Sequence, residues 1–329
     1  MGAYDLICIG AGPTGLACAI EAKRAGMRPL ILDKGTVCNS LYHYPLNMTF
    51  FTTPELLEIG DLPMSSYAEK PTRVEALKYY RKTAEFYALE IRMFERVKTV
   101  AGHLSSFEVI TVSPEGAESR YQAARIIIAT GYYDLPNIMQ VPGEDLPHVS
   151  HYYTDPFEYW RQDVVVIGGK NSAAIAALEL YRNGANVTLV HRREQLSSSI
   201  KYWIKPDIEN RLKAGEITGL LNTTVKEFRS DAVVVKAPQG ERCIAAKHVF
   251  ALTGYHPDYR FIESLGVKLD PVTRKPKLDA DSLESNVPGI HLAGVVVGGR
   301  DTGEIFIENG RFHGKQIAAA LAGKALSQG

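Results

Sequence analysis

YDLICIGAGPTGLACAIEAKRAGMRPLILDK, residues 4–34, is the stretch that decides the fold. An apolar run precedes the glycines Gly10, Gly12 and Gly15, a helix of small residues follows, and a second apolar run ends at Asp33. This order predicts strand, turn, helix and strand, in which the first glycine makes the tight turn, the second admits a pyrophosphate and the third packs helix on strand. Free N–H groups at the helix start attract phosphate, and the acid can accept a ribose hydroxyl. The stretch therefore predicts a dinucleotide site.

The same pattern returns in the second half of the chain. A strand at residues 164–167 leads into the turn Gly168-Gly169-Lys170-Asn171-Ser172-Ala173, a helix extends to Asn183, and a second strand ends at residue 190. Two further apolar runs end in Thr130-Gly131 and in Thr253-Gly254. An internal repeat of this kind predicts an α/β protein with two Rossmann-like dinucleotide-binding domains of the three-layer ββα type, one inserted in the other.

The two predicted sites differ in charge where the second strand ends. The first carries Asp33, whereas the second carries His191, Arg192 and Arg193. The planar fork of arginine suits a phosphate, and an acid there would repel the 2′-phosphate of NADPH. The first site thus suits FAD and the second NADPH, with a flavin that accepts hydride and passes electrons onward. In the second turn Lys170 replaces the middle glycine, and its amine can meet a phosphate oxygen.

The predicted domains follow from this assignment. The FAD-binding domain comprises residues 1–133 and 256–329, and the NADPH-binding domain comprises residues 134–255. Lys plus Arg and Asp plus Glu both number 37, so no overall charge favours nucleic acid. No apolar stretch approaches the roughly 18 residues of a membrane helix, and only Met1-Gly2-Ala3 precedes the first strand. We expect a cytoplasmic protein without a nucleic-acid or membrane partner.

Three other segments carry predictions. Residues 34–71 form a long irregular stretch rich in aromatic residues, which is either functional or merely fills the core of its own loop. Thr72 and Glu75 make a capping box for a helix that extends to Glu90, with an apolar stripe that includes Val74. Short strands follow near residues 92–100, 107–112 and 120–124, and a buried strand spans residues 125–129. A closing helix over residues 304–322 contains Gly310 and Gly314, which indicate close packing, and its start is expected to face the flavin.

Several stretches resemble the bacillithiol disulfide reductase family, a thioredoxin-reductase-like group of flavoproteins that lacks the Cys-x-x-Cys motif. They are NSLYHYP at residues 39–45, MTFF at 48–51, GGKNSA at 168–173, SIK at 199–201, TGYHPD at 253–258 and EIFIENGR at 304–311. The similarity extends over nearly the whole chain. It implies FAD and NADPH as cofactors, a cytoplasmic homodimer or homotetramer, and reduction of bacillithiol disulfide to the thiol.

Motifs and resemblance together give the predicted contacts of each cofactor. Those of FAD are Gly10, Gly12, Pro13, Thr14, Gly15, Asp33, Lys34, Ser40, Tyr42, His43, Phe51, Val97, Thr130, Gly131, Gly294, Glu304 and Ile305. Those of NADPH are Gly168, Gly169, Lys170, Asn171, Ser172, Ala173, His191, Arg192, Arg193, Lys201, Thr253, Gly254 and Tyr255.

One departure from the family affects the chemistry. Members usually have cysteine where this chain has Thr14, and threonine cannot form a mixed disulfide. The cysteines Cys8, Cys18, Cys38 and Cys243 show no disulfide or metal spacing, so no metal is expected. Candidates for a chemical role are Cys38 and His256, while Cys243 is expected to be structural. The partner is then a low-molecular-weight disulfide or a small electron-transfer protein. The alternatives are a ferredoxin or flavodoxin reductase and a nucleotide-binding sensor without turnover.

Overall fold

The computed structural model describes residues 3–326, and the chain divides into two compact units. The first unit comprises Met1–Leu135 and Tyr255–Gly329, and the second, Pro136–Gly254, is inserted between them. These bounds lie within two residues of the predicted domain bounds. Within the described residues, no helix combines the length and the apolar character that crossing a membrane requires.

The helices and strands of the first unit come from both ends of the chain. Before the inserted unit they are β1 Tyr4–Ile9, α1 Pro13–Arg24, β2 Pro29–Leu32, α2 Asn39–Tyr42, α3 Arg73–Phe86, β3 Glu90–Arg92, β4 Arg96–His103, β5 Ser106–Val112 and β6 Glu118–Ile128. The second unit contains β7 Val149–Ser150, β8 Asp163–Ile167, α4 Asn171–Arg182, β9 Asn186–Val190, α5 Lys205–Lys213, β10 Thr218–Leu220, β11 Thr224–Arg229, β12 Ala232–Ala237, β13 Gly240–Ala245 and β14 His248–Ala251. The first unit closes with α6 Tyr259–Ser264, β15 Ile290–Leu292, α7 Ile307–Gly310 and α8 His313–Leu326, and 3-10 turns span Pro54–Leu56, Phe157–Tyr159 and Gly294–Gly298.

The first unit is built on a parallel sheet with strands in the order β3-β2-β1-β6, and β15 pairs with β6 on its other side. The amino-terminal half of β6 also pairs antiparallel with β5, which pairs with β4, so one long strand joins the parallel sheet to an antiparallel layer. The sequence indicated separate strands at residues 120–124 and 125–129. They form one strand because the chain crosses between the two layers without a turn.

The second unit repeats this plan. Its parallel sheet has the order β10-β9-β8-β14-β7, and the antiparallel layer is the separate three-stranded sheet β11-β12-β13. Strand β1 in the first unit and strand β8 in the second are each followed by a glycine turn and a helix of 12 residues, α1 or α4. The prediction of two Rossmann-like folds of the ββα type is confirmed.

Both faces of each parallel sheet are buried. In β1, Leu6 and Cys8 contribute to the cluster that includes α1, whereas Ile7 and Ile9 contribute to the cluster that includes β5 and β6. Strand side chains alternate between faces, so an uninterrupted apolar strand is the form that a sheet covered on both sides requires. Each fully buried isoleucine or leucine contributes about 1.5–3 kcal/mol. These strands therefore hold the glycine turns at a fixed edge.

The helix after the irregular stretch begins as predicted and ends earlier. The Thr72 hydroxyl accepts the Glu75 N–H, and the Glu75 carboxylate accepts the Thr72 N–H at 2.7 Å, which confirms the capping box. Residues 90–92 pair with β2 as strand β3 instead of extending the helix. Val74 is 47% exposed, and Ala76 takes its place in the buried stripe. Within the irregular stretch Phe50 is buried but Tyr42 is 52% exposed, so it fills a core only in part.

The closing helix is broken into two. Residues 304–306 precede α7, so the predicted helix start at residue 304 is wrong, and a turn at residues 311–312 separates α7 from α8. The glycines nevertheless serve close packing. A methyl group at Gly314 would lie 2.7 Å from the Cα atom and the nitrogen of Cys18, and one at Gly310 would lie 3.3 Å from the Thr14 hydroxyl. Helix α8 therefore crosses α1 with backbone against backbone.

Candidate functional site

The helices that follow the two glycine turns have uncapped amino termini. No side chain accepts a hydrogen bond at the first residue of α1 or α4, where the N-cap residues are Gly12 and Lys170. In contrast, α3 has its capping box and α6 is capped by Asp258. The first N–H groups of a helix have no partner inside it, and together with the helix dipole they form a binding site for phosphate. Both turns thus leave donors free for an anion.

The first turn has the shape that a pyrophosphate requires. Gly10 has φ +113°, and a methyl group there would lie 2.4 Å from the Ala129 carbonyl oxygen. Gly12 has ordinary extended geometry, with φ −73° and ψ 174°, and no atom lies within 4 Å of a methyl group built on it. The protein therefore needs a glycine at position 10 for its own fold, whereas Gly12 keeps open a space that the protein leaves unfilled. That space fits the pyrophosphate of FAD.

Asp33 closes the first turn from the neighbouring strand. Its carboxylate accepts the Ala11 N–H at 2.7 Å through Oδ2 and the Gly35 N–H at 2.8 Å through Oδ1. Burial raises the pKa of this carboxyl, and the two backbone donors oppose that rise. Each carboxylate oxygen has a second lone pair, so the group can still accept hydroxyls of a ribose.

Thr14 lies where three segments of the first unit meet. Its hydroxyl oxygen would be 3.0 Å from a methyl group at Gly294 and 3.3 Å from one at Gly310. The Gly294 N–H donates to Nδ1 of His313 at 3.0 Å, and burial lowers the pKa of this histidine. A neutral ring with an accepting Nδ1 therefore orders the turn after β15. The sequence did not indicate that His313 accepts a hydrogen bond from the turn after β15.

The loop after β6 offers a further polar group. The Thr130 hydroxyl is buried and has no hydrogen-bond partner within residues 3–326, which fits a site completed by a ligand. Ser40 approaches Gly131, since its Oγ would lie 4.0 Å from a methyl group there. The carbonyl of His43 accepts the Tyr133 hydroxyl at 3.3 Å. These contacts bring the irregular stretch to the same edge of the sheet as the first turn.

The remaining residues predicted to contact FAD are placed as follows. Lys34 forms an ion pair of 2.8 Å with Asp134, a residue that no sequence motif indicated. Val97 lies two residues after Glu95, whose N–H donates to the Asp33 carbonyl. Glu304 forms an ion pair of 2.6 Å with Lys275, so its carboxylate has a protein partner. Pro13 and Gly15 lie in α1 and Phe51 in the irregular stretch, as predicted, whereas Tyr42 lies in the short helix α2 and Ile305 precedes α7 instead of lying inside the closing helix.

The second turn repeats the first with a histidine in place of the acid. His191 follows β9 as Asp33 follows β2, and its ring lies against Gly169, where a methyl group would meet the ring. Nε2 of His191 is buried without a partner in the described part of the chain. Burial, followed by the charges of Arg192 and Arg193, lowers the pKa of this histidine. A neutral imidazole thus lies beside two exposed guanidinium groups.

Asn171 connects the loop at residues 197–201 to the second turn through hydrogen bonds. Its side-chain amide donates to the Ser199 carbonyl at 3.1 Å and accepts the Lys201 N–H at 3.0 Å, and the Ser197 N–H donates to the Gly169 carbonyl at 2.9 Å. Lys201 is thereby held next to the turn. Ser172 is exposed and Ala173 buried in the first turn of α4.

Thr253 and Gly254 are tied to a neighbouring segment of the second unit. The Thr253 hydroxyl donates to the Asn137 carbonyl at 2.6 Å, and the Asn137 N–H donates to the Gly254 carbonyl at 2.9 Å. Tyr255, assigned to NADPH from the sequence, belongs to the first unit, where its ring centre lies 4.6 Å from that of Tyr133.

The two residues proposed for chemistry are not exposed reactive groups. Cys38 is 1% exposed and burial raises the pKa of its thiol, so it does not offer a thiolate as its loop position indicated. Cys8 and Cys18 are equally buried, and the pKa of Cys18 is raised to about 12. Cys243 is exposed on β13 in the second unit and not part of a core. His256 is half-buried, with its ring stacked on Tyr259 at 5.4 Å.

Comparisons with known proteins agree with this geometry. Residues 7–294 match the family model "Pyridine nucleotide-disulphide oxidoreductase". The chain is 45% identical over 317 residues to bacilliredoxin reductase Bdr of Bacillus subtilis, and the aligned region covers 96% of this chain and 97% of that protein. It superposes on the structure of bacillithiol disulfide reductase Bdr from Bacillus cereus with a TM-score of 0.96, at 42% identity, over 98% of this chain and 100% of the other. A ferredoxin–NADP reductase of Ignicoccus hospitalis is 28% identical over 88% of this chain and 89% of its own length.

These matches identify an oxidoreductase that uses FAD and NADPH. They leave no support for the alternative of a nucleotide-binding sensor without turnover. The chain belongs to the pyridine nucleotide-disulphide oxidoreductase family, in the branch that contains the bacillithiol disulfide reductases.

Proposed function

We propose that this flavin disulfide reductase takes hydride from NADPH in its second unit and reduces a low-molecular-weight disulfide, such as bacillithiol disulfide, through FAD in its first unit. The observation that carries the assignment is the contrast between the two turns. Asp33 accepts backbone N–H groups beside the first, whereas His191, Arg192 and Arg193 surround the second. An acid selects free ribose hydroxyls, and guanidinium groups select a 2′-phosphate.

NADPH gives up a hydride, which carries two electrons, and becomes NADP⁺. The S–S bond of the disulfide takes up these two electrons and breaks, and the two sulfurs receive the hydride-derived proton and one proton from water. FAD, when bound, supplies the group that stores the two electrons between the two half-reactions. The names of the relatives, bacilliredoxin reductase and bacillithiol disulfide reductase, support this choice of substrate.

The chain's own residues bind and orient the cofactor. The free N–H groups of α1 hold the pyrophosphate, Gly12 leaves it room, and Asp33 accepts the ribose hydroxyls. The Thr130 hydroxyl supplies a buried polar group that lacks a partner in the described part of the protein. Thr14, with Gly294 and Gly310 against it, fills the point where these segments meet.

No cysteine of the first unit takes part in the proposed electron transfer. Cys8, Cys18 and Cys38 are each no more than 1% exposed, and burial raises the pKa of all three thiols. A buried thiol with a raised pKa is a poor nucleophile at neutral pH. The disulfide therefore receives its electrons from the flavin without a mixed disulfide to the enzyme. The active protein is proposed to be a cytoplasmic homodimer or homotetramer.

The test is an anaerobic titration of the FAD-loaded enzyme. One equivalent of NADPH reduces the flavin, bacillithiol disulfide is then added, and the visible absorbance of the flavin is followed. Prompt reoxidation with release of two thiols per flavin supports the proposal. The Cys38→Ser variant is the matched control, and it should reoxidise at the same rate. A flavin that NADPH does not reduce would contradict the assignment of the second unit.

A second candidate function is reduction of ferredoxin or flavodoxin. It is favoured by Thr14 and by the buried cysteines, because a one-electron acceptor needs no thiol on the enzyme. The similarity to a ferredoxin–NADP reductase supports it as well. In the same titration, a flavin that stays reduced with the disulfide and is reoxidised by ferredoxin or flavodoxin would establish this function.

A further inference from the structure

The ion pair between Lys34 and Asp134 spans the edge of the sheet at the first turn. Lys34 comes two residues after the end of β2, and Asp134 follows β6 by six residues. Strands β2 and β6 are the two neighbours of β1, which carries the glycine turn at its end. The Nζ–Oδ2 distance is 2.8 Å, so the two side chains connect the flanking loops across the turn.

Ligands of open α/β sheets lie beyond the carboxyl ends of the strands, where neighbouring connections diverge. This is the edge that the ion pair crosses. The two side chains are 29% and 33% exposed, so the pair is half-buried and less screened by salt than a pair at the open surface. A contact of this kind can hold the two loops together.

The pair also fixes the charge next to the ribose-binding acid. Asp134 is close enough to Asp33 to raise the pKa of that carboxyl, and Lys34 is close enough to lower it. Two carboxylates and one ammonium group thus share this edge. Removal of the lysine leaves the repulsion between the Asp33 and Asp134 charges in place, whereas removal of both charges of the pair takes away both effects on Asp33.

We propose that Lys34 and Asp134 form a clasp over the first turn that retains FAD, with Asp134 as a positioning residue for the cofactor. The inference rests on the assignment of FAD to the first unit. Release of the cofactor requires the clasp to open, so the rate of release increases when either partner is removed. It also increases with ionic strength, because salt weakens the pair.

The experiment measures FAD release from the purified holoenzyme. The enzyme is mixed with an excess of an apoprotein that captures free FAD, and the release rate is read from the flavin signal. The single variants are Lys34→Ala and Asp134→Asn, and the double variant combines these two changes. The charge swap combines Lys34→Asp with Asp134→Lys. Lys98→Ala is the matched control, because it breaks the Lys98–Glu118 pair of 2.7 Å, which lies on β4 and β6 with both partners more exposed.

We expect Lys34→Ala to release FAD about two- to fivefold faster than the wild type, the range that one partly exposed ion pair contributes. The double variant should release it more slowly than Lys34→Ala does, and the charge swap should recover part of the retention. Lys98→Ala should match the wild type. Release should accelerate with salt in the wild type and lose this dependence in the double variant.

The outcomes separate the clasp from the proposed function. If all variants release FAD at the wild-type rate, or if the effects of the two single changes simply add, the clasp is refuted although NADPH still reduces the flavin. If the wild type binds no FAD, or its flavin is not reduced by NADPH, the proposed function fails. Thermal unfolding of the apoproteins shows whether a variant is folded, and the charge swap provides a second test if one single variant is not.

Discussion

Replacing Gly12 with alanine separates what the fold needs from what the cofactor needs. The backbone at Gly12 has φ −73° and ψ 174°, which alanine adopts without strain. No atom of the described protein lies within 4 Å of the added methyl group. Because alanine restricts the unfolded chain, the apoprotein should be more stable by about 0.4–1 kcal/mol. The same methyl group occupies the space proposed for the pyrophosphate.

The expected loss is therefore confined to the cofactor. Forcing a methyl group into a close contact costs about 1–3 kcal/mol, which corresponds to an FAD dissociation constant raised by about 5- to 150-fold. Calorimetric titration of the apoprotein with FAD measures that constant. Urea unfolding of the same apoprotein measures its free energy of unfolding, so the two effects are read independently.

Gly10→Ala is the matched comparison within the same turn. Its φ of +113° and the 2.4 Å approach of a methyl group to the Ala129 carbonyl make the substitution costly for the fold itself. We expect a loss of about 3 kcal/mol or more in unfolding free energy. Wild-type FAD affinity in a folded Gly12→Ala protein would refute the placement of the pyrophosphate. Equal destabilisation by both substitutions would refute the division of roles within the turn.

Three further predictions concern other elements. Gly314→Ala should lower the free energy of unfolding by about 3 kcal/mol or more, because its methyl group would meet the backbone of α1 at 2.7 Å. Gly323→Ala is the matched control in the same urea experiment. Because open space surrounds this glycine, the substitution should raise the free energy of unfolding by about 1 kcal/mol. His313 should make stability fall as the pH drops below about 6.5, since burial lowers its folded pKa and the unfolded chain then binds a proton that the native protein does not. His313→Asn keeps an acceptor for the Gly294 N–H and should flatten this pH profile, and an unchanged slope would contradict the assignment. Arg192→Gln should raise the KM for NADPH about tenfold and leave that for NADH unchanged, and an equal change for both nucleotides would show that the arginine does not recognise the 2′-phosphate.

The fold could be predicted from the sequence wherever one local rule decides. Gly10, Gly12 and Gly15 with Asp33 specify a strand–turn–helix–strand unit, and its repetition at Gly168 specifies the second domain. The capping box of Thr72 is predictable for the same reason, since both partners lie within one helical turn. In each case a few neighbouring residues fix the backbone, and tertiary packing agrees with them.

Features that depend on distant partners could not be predicted. The sequence predicts one closing helix over residues 304–322, yet a turn at residues 311–312 separates α7 from α8, where Arg311 donates to the carbonyls of Glu55 and Glu58. The ion pair of Lys34 joins residues 100 positions apart, which no local pattern reveals. The loop position of Cys38 indicates an accessible thiol, but its N–H donates to the Ala11 carbonyl, and the side chain is covered. Burial by remote segments was the information that the sequence lacked.

The crossing of α1 by α8 has a consequence for synthesis of the protein. The backbone of Cys18 packs against Gly314, so the first unit brings together residues separated by most of the chain. The second unit is one continuous segment, Pro136–Gly254, and all of its pairings can form once that segment has left the ribosome. We therefore expect the inserted unit to fold first. The first unit has residues from both ends of the chain, so its sheet lacks β15 and its helix α1 lacks α8 until the last part of the chain is made.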